Sequence, residues 1–229
     1  MDAKHIIPVL SIRGPHAAAG GGAGDASRAG RVGQLEREGA DGVLFQASEP
    51  GDLGPWLGEA AASLALPILV EAPFRTLAEV GGALEAGADK VVLAAAGVEG
   101  EALLEAAALV YGRSRVAVAV QAFQDGAGSW RIATAGGADQ DALERLAGLA
   151  QRGAGEILLR LGTEGEAAAP LLQGAARLSL PVLSWSRGDT AAAAEALLNG
   201  ADGLAFPAQD RSASEWKSAL TAYGLTMRF

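Results

Sequence analysis

Cysteine is absent from the 229 residues, which excludes disulfides and thiolate metal sites alike. Histidine is nearly absent: His5 and His16 are the only two, too few for a His-rich metal centre, and no metal or other cofactor is expected. Basic residues are also in deficit. Eighteen Lys and Arg stand against 27 Asp and Glu, a formal net charge of −9, whereas nucleic acid or an anionic membrane surface needs a basic footprint. No apolar run reaches the ~18 residues of a membrane-spanning helix. Met1-Asp2-Ala3-Lys4-His5 passes straight into a strand-like run with no targeting pattern. The expectation is a soluble, cytoplasmic protein without a nucleic-acid or membrane partner.

Glycine and small apolar residues are plentiful. One short phrase recurs: GADGVLF at 39–45, GADKVVL at 87–93, GAGEILL at 153–159 and GADGLAF at 200–206. Its glycine suits the left-handed position just past a helix. The apolar run behind it is too short for a helix and too continuous for a half-exposed strand. Such runs are strands buried on both faces, as in a parallel sheet covered by helices. Further runs of this kind lie at 6–12, 66–70, 116–120 and 180–184. Amphipathic segments at 76–85, 100–111, 138–151, 190–198 and 214–223 separate or follow them. Eight strand–helix alternations predict one (β/α)8 barrel over residues 1–229.

The spacing carries a second message. Gly39 to Gly153 is 114 residues, and Leu66 to Leu180 is the same. Two four-strand halves, a duplicated half-barrel, would give this repeat. The competing explanation is that the helix-to-strand turn itself demands Gly-Ala-Asp.

Several stretches resemble a known family. Lys4, Ile6, Ile7 and Pro8, then Gly87-Ala88-Asp89-Lys90-Val91, then residues 153–159 and the closing GLTMRF at 224–229 are similar in order and spacing to the cyclase subunit of imidazole glycerol phosphate synthase. The likeness spans the whole chain. It is weaker toward the isomerase that precedes this cyclase in histidine biosynthesis. It implies a duplicated half-barrel, a substrate with two phosphates, and a glutaminase-type partner on the N-terminal face of the barrel.

Barrel chemistry sits where the strands end. The resemblance implies two aspartates there, on the first and fifth strands, as general acid and base. Ser11 and Gln121 occupy those positions, and neither exchanges a proton near neutral pH without an activating base. The phosphate turns, where bare N–H groups should cradle anions, are altered too. After the third strand stands Glu71-Ala72-Pro73; glutamate repels an anion and proline lacks a donor. After the seventh stands Trp185-Ser186-Arg187, where tryptophan crowds the approach, and the eighth-strand position reads Pro207. The GGGAG at 20–24 lacks a following P-loop lysine and reads as a flexible connector.

Arg13, Arg75, Arg160 and Arg187, with Ser11, Glu71, Gln121 and Ser186, are candidates for a polar pocket that takes a small anionic molecule; the alternative is solvated surface arginines. On the opposite face the resemblance implies a charged ring whose positions read His5, Gly42, Lys90 and Glu156, with Asp89 turned toward the glutaminase. Three functional readings follow. One is a barrel without cyclase catalysis that keeps a binding, regulatory or assembly role. Another is a working cyclase (a lyase), or altered chemistry on a phosphorylated small molecule, with Glu71, Asp125 or Glu164 as acid–base group. The third is a subunit that assembles with a related barrel.

Overall fold

The computed structural model describes residues 3–12, 28–94, 98–134, 139–162 and 168–228. Its architecture follows from the recurring turn. Gly39, Gly87, Gly153 and Gly200 all have positive φ, between 79° and 118°. The alanine after each glycine is buried and donates its N–H to the carbonyl five residues back at 3.1 Å, as in Ala40 to Leu35 and Ala201 to Ala196. This closes the helix end and aims the chain into a strand.

The aspartate then ties the turn to a neighbouring strand. Asp41, Asp89 and Asp202 each accept, through Oδ2 at 2.8 Å, the N–H of Ile6, Ile68 and Val182 respectively. Each also donates its own N–H to the carbonyl of that same residue, at 3.0, 2.8 and 2.7 Å. The turn chemistry thus has its own structural reason for Gly-Ala-Asp. In the third copy Gly155 stands where the others have aspartate, and a Cβ there would lie 1.9 Å from the Arg113 carbonyl oxygen.

The strands are β1 (His5–Ile12), β2 (Val43–Ala47), β3 (Ile68–Glu71), β4 (Lys90–Ala94), β5 (Val116–Gln124), β6 (Trp130–Ile132), β7 (Gln140–Asp141), β8 (Glu156–Leu161), β9 (Val182–Trp185) and β10 (Gly203–Pro207). Their order is β4-β3-β2-β1-β10-β9-β8-β5, and a β4–β5 pairing closes the ring. All eight pairings around the ring are parallel. The expected (β/α)8 barrel is therefore the fold. β6 is appended antiparallel to β5 and β7 antiparallel to β6, and β5 runs four residues past the run predicted at 116–120.

Helices α1 (Arg28–Arg37), α2 (Gly54–Ser63), α3 (Leu77–Glu85), α4 (Val98–Tyr111), α5 (Ala142–Gln151), α6 (Ala169–Ala176), α7 (Thr190–Leu198) and α8 (Ala213–Thr221) cover the sheet. The helix predicted from residue 138 begins at Ala142, because Asp141 caps it by accepting the N–H groups of Leu143 and Glu144. Among the described residues no helix is long and apolar enough to cross a membrane.

Strand alternation divides the apolar residues into two cores. Phe45 against Trp56 and Phe206 against Trp216 belong to the large core between sheet and helices. The smaller core is made of strand residues alone, among them Ile7, Leu44, Leu69, Val92, Leu158 and Leu183; it fills the barrel lumen. Lys217 of α8, almost fully buried, donates to Asp41 Oδ1 at 2.9 Å and to the Arg228 carbonyl. That contact pins the last helix and the C-terminal tail to the first turn.

Candidate functional site at the barrel mouth

The lumenal set continues upward by twos along each strand. From Val9 it reaches Ser11, from Leu44 Gln46, from Leu69 Glu71, from Ala119 Gln121, from Leu158 Arg160, and from Leu183 Trp185. Register brings these into one layer: Ser11 lies beside Gln46, Gln46 beside Glu71, and Gln121 beside Arg160. Two of the predicted positions, Ser11 and Gln121, are exposed at this mouth.

The middle of the layer is bonded to itself. Arg160 Nη2 donates to both Glu71 oxygens, at 2.9 Å (Oε1) and 2.6 Å (Oε2). Gln46 Nε2 donates to Glu71 Oε2 at 3.1 Å. The Arg160 guanidinium carbon sits 5.1 Å from the centroid of the Trp185 ring, within cation–π range. With side chains only 13% and 24% exposed, Glu71 and Arg160 neutralise one another at the strand-end mouth. Trp185 was expected to crowd this space; here it backs the arginine.

The other predicted rim residues do not join this layer. Ser186 is buried, follows Trp185 on the opposite parity, and donates its N–H to the Ala205 carbonyl; its hydroxyl has no hydrogen-bond partner among the described residues. Arg187 and Arg75 are exposed. The backbone N–H of Arg75 donates to Glu79, the capping-box residue of α3. Arg13, Glu164 and residues 20–24 lie outside the described residues. Asp125 is occupied in the β5–β6 connection, accepting from Arg131 at 3.0 Å and from the N–H groups of Ser129 and Ala127. The Arg131 hydrogen bond, followed by those backbone donors, lowers its pKa, the wrong direction for a base working near neutrality. Among the described residues no three metal-capable side chains cluster.

At the opposite end Lys90 and Glu156 form a direct, largely buried ion pair. His5 is exposed. A Cβ at Gly42 would come within 3.0 Å of Ile7 Cδ1, so the lumenal core already fills that position. Asp89, expected to face a partner, clamps the start of β3. Exposed Leu109, Val110, Leu198 and Tyr223 all sit at or just past the ends of α4, α7 and α8. Helices run against the strands in this fold, so these residues lie toward the same end.

Gln46 is the mouth residue that sequence reading missed. Its signal was available in the alternation from Leu44, but its role depends on a register partner 25 residues away.

A closed parallel (β/α)8 barrel with a polar layer at the strand ends is the architecture of barrel enzymes. The histidine biosynthesis protein family matches residues 18–171. Imidazole glycerol phosphate synthase subunit HisF of Hyphomonas neptunium is 32% identical over 246 residues, covering 97% of this chain and 97% of that one. The HisF subunits of Dictyoglomus thermophilum (33% over 174 residues, 69% of this chain and 68% of the relative) and Myxococcus xanthus (39% over 134 residues, 55% and 53%) are similar over shorter spans. The chain belongs to the histidine biosynthesis family, as a HisF-like barrel.

Proposed function

We propose that this HisF-like barrel no longer carries out the cyclase reaction and serves a binding, regulatory or assembly role. The observation that carries the reading is the Glu71–Arg160 pair, braced by Gln46 and Trp185. It occupies the mouth between Ser11 and Gln121, which stand where the resemblance implies two aspartates. A hydroxyl and an amide cannot shuttle protons unaided at neutral pH. Glu71, at the turn that the resemblance implies binds phosphate, adds charge of the wrong sign for a substrate with two phosphates. A strain lacking its own cyclase subunit tests this: expression of the chain is expected to leave it dependent on histidine. Growth without histidine would instead support the working-cyclase reading, which the end-to-end match to the Hyphomonas subunit favours.

The base of the barrel supports a protein partner. Lys90, Glu156 and Asp89 remain at the positions implied to face a glutaminase, and the exposed Leu109, Val110, Leu198 and Tyr223 lie toward that end. The relatives named above are themselves subunits. Sizing the chain alone, with a glutaminase-type subunit, and with a related HisF-like barrel separates the possible assemblies.

A further inference from the structure

Helix α4 is apolar on the side that faces solvent as well as on the side that faces the core. Its second half reads Ala106-Ala107-Ala108-Leu109-Val110-Tyr111, without the polar stripe of an ordinary surface helix. Leu103, Leu104 and Ala107 belong to the core. On the outer side Ala102 is exposed, Ala106 half-buried, Leu109 87% exposed and Val110 58% exposed, and positions three and four apart make one stripe. The fold does not demand this. α8 follows the eighth barrel strand as α4 follows the fourth, and its exposed residues are Ser214, Glu215, Ser218 and Thr221. An uncovered apolar stripe with a polar rim marks a contact surface.

Beside the stripe, α4 and α5 enclose a groove of about 670 Å³. Glu105, Leu109 and Arg113 line it from one side, and Gly148, Arg152 and Gly153 from the other. A Cβ at Gly148 would meet nothing within 4 Å, so the groove has room for an inserted side chain. The charges then select the occupant. Leu109 lies midway between Glu105 and Arg113. A two-fold axis through Leu109, with the helices antiparallel, sets Glu105 of each copy against the partner's Arg113, whereas a parallel arrangement sets like charges together. Both groups have capacity for this. Glu105 is 51% exposed and holds Arg152 through Oε1 alone, and Arg113 spends only Nη2, on the Ala154 carbonyl. Elsewhere a net charge of −9 makes two copies repel. This groove instead carries Arg113 and Arg152 against the one carboxylate of Glu105.

We infer that the outer face of α4 and the α4–α5 groove bind a second copy of this chain across a two-fold axis, with Leu109 of each copy in the groove of the other. The inference deepens the assembly role proposed above, rests on it, and names the partner. One helix and its groove make a small contact beside the roughly 800 Å² per partner of stable dimers, so the dimer is expected to be reversible.

Sedimentation equilibrium of the purified chain from about 10 µM to about 1 mM tests this. The mass is expected to rise with concentration toward twice the 23.0 kDa of one chain. Leu109→Glu, at a solvent-exposed position, is expected to leave the melting temperature unchanged and to weaken association about a hundredfold, since each dimer loses two buried leucines. Glu105→Arg is expected to weaken it about tenfold by setting arginine against arginine, and Glu105→Arg combined with Arg113→Glu to restore it. Leu109→Glu covers the case in which the charge variants fail to fold. A monomer at every concentration, a dimer unaffected by Leu109→Glu, or a double variant no stronger than Glu105→Arg would each overturn the inference. A monomeric chain that binds a glutaminase-type or HisF-like subunit removes only the second copy, whereas a monomer that binds neither removes the assembly role as well.

Discussion

Arg160 and Glu71, 89 residues apart in the chain, meet at the mouth of the barrel through one nitrogen and two oxygens. Removing one partner strands the other in a partly buried layer. Glu71→Ala is expected to cost about 1–3 kcal/mol, the penalty for leaving a buried polar group unpaired. The double variant with Arg160→Met should cost less than the sum of the singles, with a coupling of about 0.5–3 kcal/mol. Urea midpoints of the four proteins give this cycle. Additive effects would mean that the pair contributes no interaction of its own.

The three aspartate clamps should rank by what else each holds. Asp89 and Asp202 each bind one strand N–H through the side chain, so Asp89→Ala or Asp202→Ala should cost about 1–3 kcal/mol. Asp41 also pairs with buried Lys217, and Asp41→Ala leaves that ammonium without its carboxylate. It should cost about 3–5 kcal/mol. Asp41→Asn, which keeps the strand acceptor but not the charge, isolates the two contributions. Denaturant unfolding checks the order.

How much of this was legible in the sequence depends on the range of the interaction. The turn was readable because its chemistry is local: glycine after the helix, a buried alanine, then the strand. The eight barrel strands and their order followed from it, whereas the short β6 and β7 did not. The mouth was only half readable. Glu71 and Arg160 could each be placed at a strand end, but their pairing is set by ring closure, which no local pattern encodes. Ser186 shows the opposite failure. Its neighbour Trp185 faces the lumen, and one step along a strand reverses the face. The third turn's Gly155 had no explanation in the sequence, since the obstructing Arg113 carbonyl comes from the segment before β5.

That carbonyl makes a sharp prediction about two glycines. Gly155→Ala would place Cβ 1.9 Å from a backbone oxygen, and the variant is expected to be strongly destabilised or insoluble. Gly82, inside α3, has open space around its Cβ position. Gly82→Ala is expected to stabilise the protein by about 0.5–1 kcal/mol through helix propensity. Thermal melts of the two variants should move in opposite directions.

Acid should loosen the β5–β6 connection late. Arg131 and two backbone N–H groups depress the Asp125 pKa in the folded state. A depressed carboxylate contributes stability that is present above its unfolded pKa and is lost as pH falls through the folded one. The connection is therefore expected to persist through the ordinary aspartate range, near pH ~3.9, and to open only below it. An NMR pH titration of Asp125, with the Ala127 and Ser129 amides as reporters, follows this. A midpoint at or above the ordinary range would contradict the assignment.

The central claim concerns proton transfer at Ser11 and Gln121, and ammonia-dependent cyclisation by the purified chain measures it most directly. The account predicts no turnover above the uncatalysed rate, with or without a glutaminase-type subunit. Turnover by the unaltered chain that disappears in Ser11→Ala or Gln121→Ala would contradict it.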